Sequence, residues 1–370
     1  MRNLFYIAAI ALLLIVMGFG IFRKRLKARS RAILIIGSFA LAIAAFACWT
    51  SPRWEYPETT GPYEPAFVRC TYTDESRVEL YESDGSHRWL NLDIWYPKDY
   101  AGEKNTCPVV VFSHGSFGVK ESNVSLCREL ASNGYLVCAI DHTYQCLSTT
   151  DADGRKIKMD KGYRRQILRA SDSSEESRTE LYGLFREWMD IRMGDIHFVL
   201  DTILARAAAG DAGDGGVYLL ADASRIGVIG HSLGGAAALG MGRARDDVRA
   251  VIALEAPFMY DVEGVTADGF SFNREPYPAA VLNVYTDSSW NLLGDSPQYA
   301  QNNAMRSDQS DTTEDYYVKG AGHMTLTDLA LSMPPLCLAF GQDLFYHADA
   351  CVRTVNQLYL DFLNRCLKGQ

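Results

Sequence analysis

A serine set between glycines constrains this chain more than any other feature. The run Ile226–Gly235, IGVIGHSLGG, places Gly230-His231-Ser232-Leu233-Gly234 between a β-branched segment, Arg225–Ile229, and a small-residue segment, Gly235–Gly242. The first reads as a buried strand and the second as a helix. G-x-S-x-G in that setting is a nucleophile elbow, a sharp strand-to-helix turn that lifts the serine hydroxyl above the sheet edge. Side chains at the flanking positions would crowd the turn. The helix N-terminus behind the serine aims backbone N–H groups at any anion that develops there.

The rest of the chain supplies a sheet to carry that turn. Phe67–Tyr72, Val78–Tyr81 and Trp89–Tyr96 read as strands, with a turn at Ser83–Ser86. Pro108–Ser113 is an unbroken apolar run, as expected of a strand covered on both faces, and it delivers His114-Gly115-Ser116-Phe117-Gly118 at its end. A helix over Asn123–Ser132 and a strand over Tyr135–Ile140 follow, and strand–helix–strand at this spacing implies parallel crossovers. Residues 143–179 are polar and aperiodic, which predicts a lid or a mobile insertion. Glu180–Ala209 reads as a helix, Val248–Leu254, Ala280–Tyr285 and Asp315–Val318 as strands, and Ala350–Leu367 as a final helix. The expected fold is α/β: a doubly wound, mostly parallel sheet over 66–370 with helices on both faces.

The first fifty residues have a different character. Leu4–Phe22 and Ala32–Trp49 carry no charge, and as helices they reach roughly 27–28 Å, close to the thickness of a bilayer core. No convincing small-x-small cleavage site precedes Arg23, so two transmembrane helices are predicted over 1–50 rather than a signal peptide. The turn Arg23–Arg31 holds six basic residues, which keeps it cytoplasmic and puts the body on the extracytoplasmic side. Residues 51–65, rich in Pro, Glu and Thr, read as a linker lifting the body off the membrane. Seven of the 36 basic residues and none of the 45 acidic ones fall in 1–50, so 51–370 carries a net charge of −16. That excludes nucleic acid as a partner. Eight of nine cysteines lie in the body, where an oxidising compartment permits disulfides, and Cys337–Cys351 is the first pair to test.

A serine hydroxyl needs a base, and the base an orienting acid. Downstream of Ser232 the histidines are His323, in the Gly-rich loop GAGHM after the last strand, and His347, in front of the final helix. His323 is the better placed to reach back over the sheet. Two acids end strands: Glu255 (VIALEAP) and Asp287 (VLNVYTD). The backbone N–H groups of Ser116 and Leu233 are the expected oxyanion donors. No metal-ligand spacing occurs, and no cofactor is expected.

These motifs, FSHGSFG, ASNGYLVCAIDH, MGDIHFVLD, IGVIGHSLGG, ALEAP and GAGHMTLTD in that order, resemble the α/β-hydrolase superfamily from about Leu92 onward. Within it the chain is similar to the branch of platelet-activating-factor acetylhydrolase and related bacterial serine esterases. The resemblance implies a Ser-His-acid triad and favours Glu255, with a Glu where the branch has Asp; most other hydrolases would place the acid at Asp287. The implied activity is hydrolysis of carboxylic esters, including short-chain acyl lipids or phospholipids, by a membrane-tethered enzyme. The alternatives are an acyltransferase using the same triad and a catalytically silent membrane receptor or scaffold.

Overall fold

The computed structural model describes residues 2–22, 27–50, 54–98, 100, 104–170, 178–308, 312–344 and 346–370. Two helices come first, α1 (Arg2–Phe22) and α2 (Ala28–Thr50). Both are long and apolar enough to cross a membrane, and little of either is buried. The Trp49 indole N–H donates to Asn3 Oδ1 at 3.1 Å, tying the last turn of α2 to the first turn of α1. The helices run a few residues beyond the uncharged stretches 4–22 and 32–49, and 23–26 of the basic turn lie outside the described residues.

The body opens with β1 (Pro65–Val78) and β2 (His87–Pro97), then β3 (Cys107–Ser113), α3 (Val124–Ser132) and β4 (Leu136–Asp141). A small hairpin, β5 (Ser148–Thr150) and β6 (Lys156–Lys158), leads to α4 (Lys161–Ala170) and the long α5 (Arg178–Ala208). The elbow joins β7 (Ala221–His231) to α6 (Leu233–Ala244), and β8 (Val248–Leu254) follows. A second small hairpin, β9 (Val262–Val265) and β10 (Phe270–Phe272), precedes β11 (Ala280–Thr286), α7 (Asp287–Trp290) and α8 (Ala300–Asp308). The chain ends with β12 (Thr313–Val318), α9 (Leu329–Ser332), α10 (Pro334–Ala339) and α11 (Ala348–Leu363).

Eight strands form one sheet in the order β1-β2-β4-β3-β7-β8-β11-β12. The β1–β2 and β2–β4 pairs are antiparallel and the remaining pairs parallel, as the strand–helix alternation requires. Side chains alternate across the sheet, so the apolar run of β3 feeds two cores. Val109 and Val111 face α5 and α6, packing with Ile196, Val199, Leu239 and Met241. Val110 and Phe112 face α3 and α11, packing with Leu126, Leu130, Val355 and Phe362. Every residue of β3 and β4 is buried, which is why both read as unbroken apolar strings.

Four expectations are corrected. The strands expected at Phe67–Tyr72 and Val78–Tyr81 are one strand, β1, which ends at Val78. The stretch expected as a free linker over 51–65 is seated on the body from Trp54 onward. Thr60 Oγ1 and N–H both donate to Glu129 of α3, and the Tyr63 N–H donates to Ser132 O at 3.1 Å. Residues 51–53 lie outside the described residues. The insertion 143–179 is not structureless: it holds the β5–β6 hairpin and α4, with 171–177 outside the described residues. The ninefold cysteine set is free, including Cys337 of α10 and Cys351 of α11, which are buried as small apolar side chains in separate clusters.

Thiol titration of the native protein should therefore detect only the exposed Cys48 and half-buried Cys366, and unfolding without reductant should release all nine. Seven thiols after unfolding, rising to nine with reductant, would establish a disulfide and contradict this arrangement.

Candidate functional site

The elbow takes the form its glycines demand. Ser232 has φ 55° and ψ −122°, outside the regions comfortable for a residue with a side chain. A methyl group at Gly230 would lie 2.1 Å from the Gly234 carbonyl oxygen, and one at Gly234 would lie 2.1 Å from that of Ser113. The chain closes this turn because nothing projects there. The Ser232 N–H donates to Leu254 O at 2.7 Å, continuing the β7–β8 pairing one residue past the strand and fixing the height of the serine over the sheet.

The same device sets the acid. Glu255 follows β8, has φ 55°, and donates its N–H to Val284 O of β11 at 2.8 Å. Its carboxylate is fully buried. Oε1 accepts from the Thr286 N–H and the Ser289 hydroxyl, and Oε2 meets His323 Nδ1 at 3.2 Å. Both oxygens are thus occupied, as a buried carboxylate requires. Asp287, the alternative acid, points elsewhere: its Oδ1 accepts from the Tyr317 hydroxyl (2.6 Å) and the Gly320 N–H (3.0 Å), bracing the turn that leads to His323. Of the two carboxylates at strand ends, the structure brings Glu255 to the imidazole.

His323 sits just past β12, its N–H donated to Phe340 O and to Ser288 Oγ, both at 3.0 Å. Its ring is about one quarter exposed, and with Nδ1 engaged by Glu255, Nε2 is the ring nitrogen left for chemistry. Ser232, Leu233, Ser116, Glu255 and His323 line one cavity of about 230 Å³. Its other walls are largely apolar, with Ile167 and Ala170 from α4, Phe185 and Trp188 from α5, and Met259, beside Gln298 and Tyr299. Ser116 lies in the turn Gly115–Gly118, closed by the Gly118 N–H to Gly115 O at 3.0 Å, with Phe117 at φ 62°. His347 is remote from this group and lines a different cavity, beside Asp349, Arg353 and Asn3 of α1.

Three residues that sequence reasoning passed over complete the arrangement. Thr286 and Ser289 hold the carboxylate, and neither belongs to a motif. His231, the residue before the nucleophile, meets the His323 carbonyl oxygen through Nε2 at 2.9 Å, and its Nδ1 faces Gly115. It therefore touches the elbow, the base loop and the Gly115 turn together. Burial, reinforced by the neighbouring His323 ring, pushes its pKa down to about 3, so it is neutral and donates through Nε2–H. His142 is held down to about 4, and His114 well below its ordinary value, in both cases chiefly by burial.

One buried group, His114, Asp141 and Cys146, brings three ligand-type atoms within 4.8 Å of one another. Its donors are already committed. Asp141 accepts from the Lys120 ammonium (3.1 Å), the Lys120 N–H (2.7 Å) and the Thr149 hydroxyl (2.8 Å), and burial raises the Cys146 thiol far from its anion. A metal would have to displace an ammonium and ionise that thiol, so the group does not suit one.

Comparison with known proteins follows the same lines. The family model described as platelet-activating factor acetylhydrolase, isoform II, matches residues 97–370. A relative from Arthroderma benhamiae described as a probable 1-alkyl-2-acetylglycerophosphocholine esterase is 23% identical over 203 residues. That match covers 54% of this chain but 44% of the relative, so the chain spans less than half of that protein's length. A solved structure described as ferulic acid esterase from Streptomyces cinnamoneus superposes with a TM-score of 0.59 at 24% identity, covering 86% of this chain and 94% of its own. That likeness establishes the α/β-hydrolase fold.

Two outcomes follow. Glu255→Gln should lower kcat for ester hydrolysis by about 10²–10⁴-fold, while Asp287→Asn, which loosens only the turn, should cost about tenfold or less. Comparable losses in both would remove the distinction. The buried histidines also set the acid stability. His231 is neutral in the fold but binds a proton in the unfolded chain below about 6.5, so the unfolded state holds more protons and stability falls as pH drops from there toward 3. In urea titrations between pH 6 and 4, wild type should lose stability faster than His231→Gln, by up to about 1.4 kcal/mol per pH unit. Parallel slopes would show that His231 is protonated in the native state.

Proposed function

The chain belongs to the platelet-activating factor acetylhydrolase, isoform II, family, and we propose that it is a serine carboxylic ester hydrolase acting through Ser232, His323 and Glu255. The observation that carries this reading is the imidazole of His323, engaged at Nδ1 by a buried, fully hydrogen-bonded Glu255, in one cavity with the strained Ser232. His323 Nε2 removes the Ser232 proton as Oγ attacks the ester carbonyl. The Glu255 carboxylate holds Nδ1–H and offsets the imidazolium charge. The N–H groups of Ser116 and Leu233 receive the developing oxyanion, Leu233 at the N-terminus of α6, where the helix dipole adds to the effect. His323 then passes its proton to the leaving alcohol, and water resolves the acyl-enzyme through the same base.

A cavity of about 230 Å³ with Phe185 and Trp188 among its lining suits a short acyl group. The lipid ester in the name of the Arthroderma benhamiae relative makes short-chain acyl lipids the substrate class to test first. The two apolar helices supply the rest of the reading: α1 and α2 span a bilayer with the basic turn on the cytoplasmic side, and the body works on the outer face, near its substrate.

The test is hydrolysis of p-nitrophenyl acetate or butyrate, together with covalent labelling by a fluorophosphonate. Wild type should turn over the ester and label once, at Ser232. Ser232→Ala should lose about 10⁴–10⁶-fold in kcat and all labelling. Retained activity in Ser232→Ala would end the serine mechanism.

A further inference from the structure

Arg192 of α5 is among the largest side chains in the molecule with no solvent contact, at 0% exposure. Its guanidinium meets three neutral acceptors. Nη1 donates to the His114 carbonyl oxygen, Nε to Gln145 Oε1 at 2.9 Å, and Nη2 to the Tyr163 hydroxyl at 3.3 Å. Other buried cations nearby are treated differently: Arg88 is matched by Asp195 and Glu79, and Lys120 by Asp141. Among the described residues no carboxylate pairs with Arg192. Burying a charge without a counter-ion is costly, so this one calls for a purpose beyond filling space.

The three acceptors identify that purpose. His114 O is the first carbonyl of the loop that carries Ser116. Gln145 follows β4, and Tyr163 opens α4, whose Ile167 and Ala170 wall the reactive cavity. One turn along the same face of α5, Asp195 holds His142 Nδ1, and His142 Nε2 meets Ser113 Oγ, each at 2.8 Å. The end of β3 is thus gripped through the Ser113 side chain and the His114 carbonyl by two residues of one helix. The same two peptides are packed against the main chain of α6, where a methyl at Gly234 would lie 2.1 Å from Ser113 O and 2.5 Å from His114 O.

We propose that Arg192 is a positioning residue for the oxyanion site, fixing the His114–Gly115 peptide so that the following N–H groups converge with that of Leu233. In a trans peptide the C=O and N–H are opposed, so a guanidinium that draws the His114 oxygen toward α5 turns the Gly115 N–H away from it and sets the course of the loop into Ser116. A cation does this more firmly than a neutral donor because the bond is charge-assisted. A fork reaching three elements also makes the cavity wall and the oxyanion loop move as one piece. The inference rests on the reading of Ser116 and Leu233 as oxyanion donors.

The test uses the full-length protein with Arg192→Met and Arg192→Lys. Steady-state kinetics on p-nitrophenyl butyrate are compared with inhibition by a trifluoromethyl ketone, whose adduct places an oxyanion in the same site. Arg192→Met should lower kcat by about 10²-fold and weaken the ketone by a similar factor, with KM changed by less than about threefold and the acid limb of the pH profile unmoved. Arg192→Lys, which keeps the charge and loses the fork, should fall between Met and wild type. A loss confined to KM with ketone affinity intact, or a folded Arg192→Met with wild-type kcat, overturns the proposal. If circular dichroism shows that Arg192→Met does not fold, Arg192→Lys and Tyr163→Phe decide the matter: unchanged kcat and ketone affinity in both overturn it. Ser232→Ala run alongside separates the two readings, because an active Ser232→Ala refutes the serine mechanism, whereas an inactive one beside a fully active Arg192→Met refutes only the role of Arg192.

Discussion

Main chain packed directly on main chain is what the site depends on. At the junction of β3, β7 and α6 no side chain intervenes: Gly230 lies against Gly234, and Gly234 against the carbonyls of Ser113 and His114. Sheet pairing then propagates that closeness outward. Ser232 borrows Leu254 O, Glu255 borrows Val284 O, and Asp287 borrows Ala321 O, each one residue beyond its strand. Nucleophile and acid are thus placed by extensions of the β ladder, and the base loop is tied to the end of β11. The cavity is built directly on the sheet, although its working residues lie just beyond the strand ends.

Backbone strain collects at the same place. Among the described residues six non-glycine positions have positive φ, and three of them, Phe117, Ser232 and Glu255, belong to the three turns that border the cavity. Such conformations cost about 1–3 kcal/mol each and persist only where the surroundings over-determine them. Here the surroundings do so, through the closed Gly115–Gly118 turn and the borrowed carbonyls. The resulting geometry is set before any substrate arrives, which is what stabilising a transient charge requires.

Much of this was legible in the sequence, for reasons that also explain what was not. β3, β4 and β8 announce themselves because strands covered on both faces are almost wholly apolar between their ends. Ser232 and His323 stand out because glycines mark tight turns, and a histidine in a Gly-rich loop after the last strand has few other uses. The residues alone left Glu255 and Asp287 level, since both end strands, and only the family resemblance favoured Glu255. A glutamate at φ 55° is a conformation that no local pattern predicts. Composition misled at Trp54–Glu64, where Pro, Glu and Thr suggest a loose tether, yet Thr60 and Tyr63 find partners seventy residues away on α3. Arg192 and His142 escaped notice for the same reason: their partners come from distant parts of the chain.

The docked segment has a mechanical consequence. Because the chain is bound to the body from Trp54 onward, where the indole packs on Tyr56 and beside Leu331, the link between Thr50 at the end of α2 and the body is four residue steps. Fully stretched, it measures about 14 Å. Whatever holds the two apolar helices, the reactive cavity cannot roam as a diffusing domain would. Its distance from the end of α2 is bounded by that short link, so the site and the two helices stay near one another wherever the helices lie.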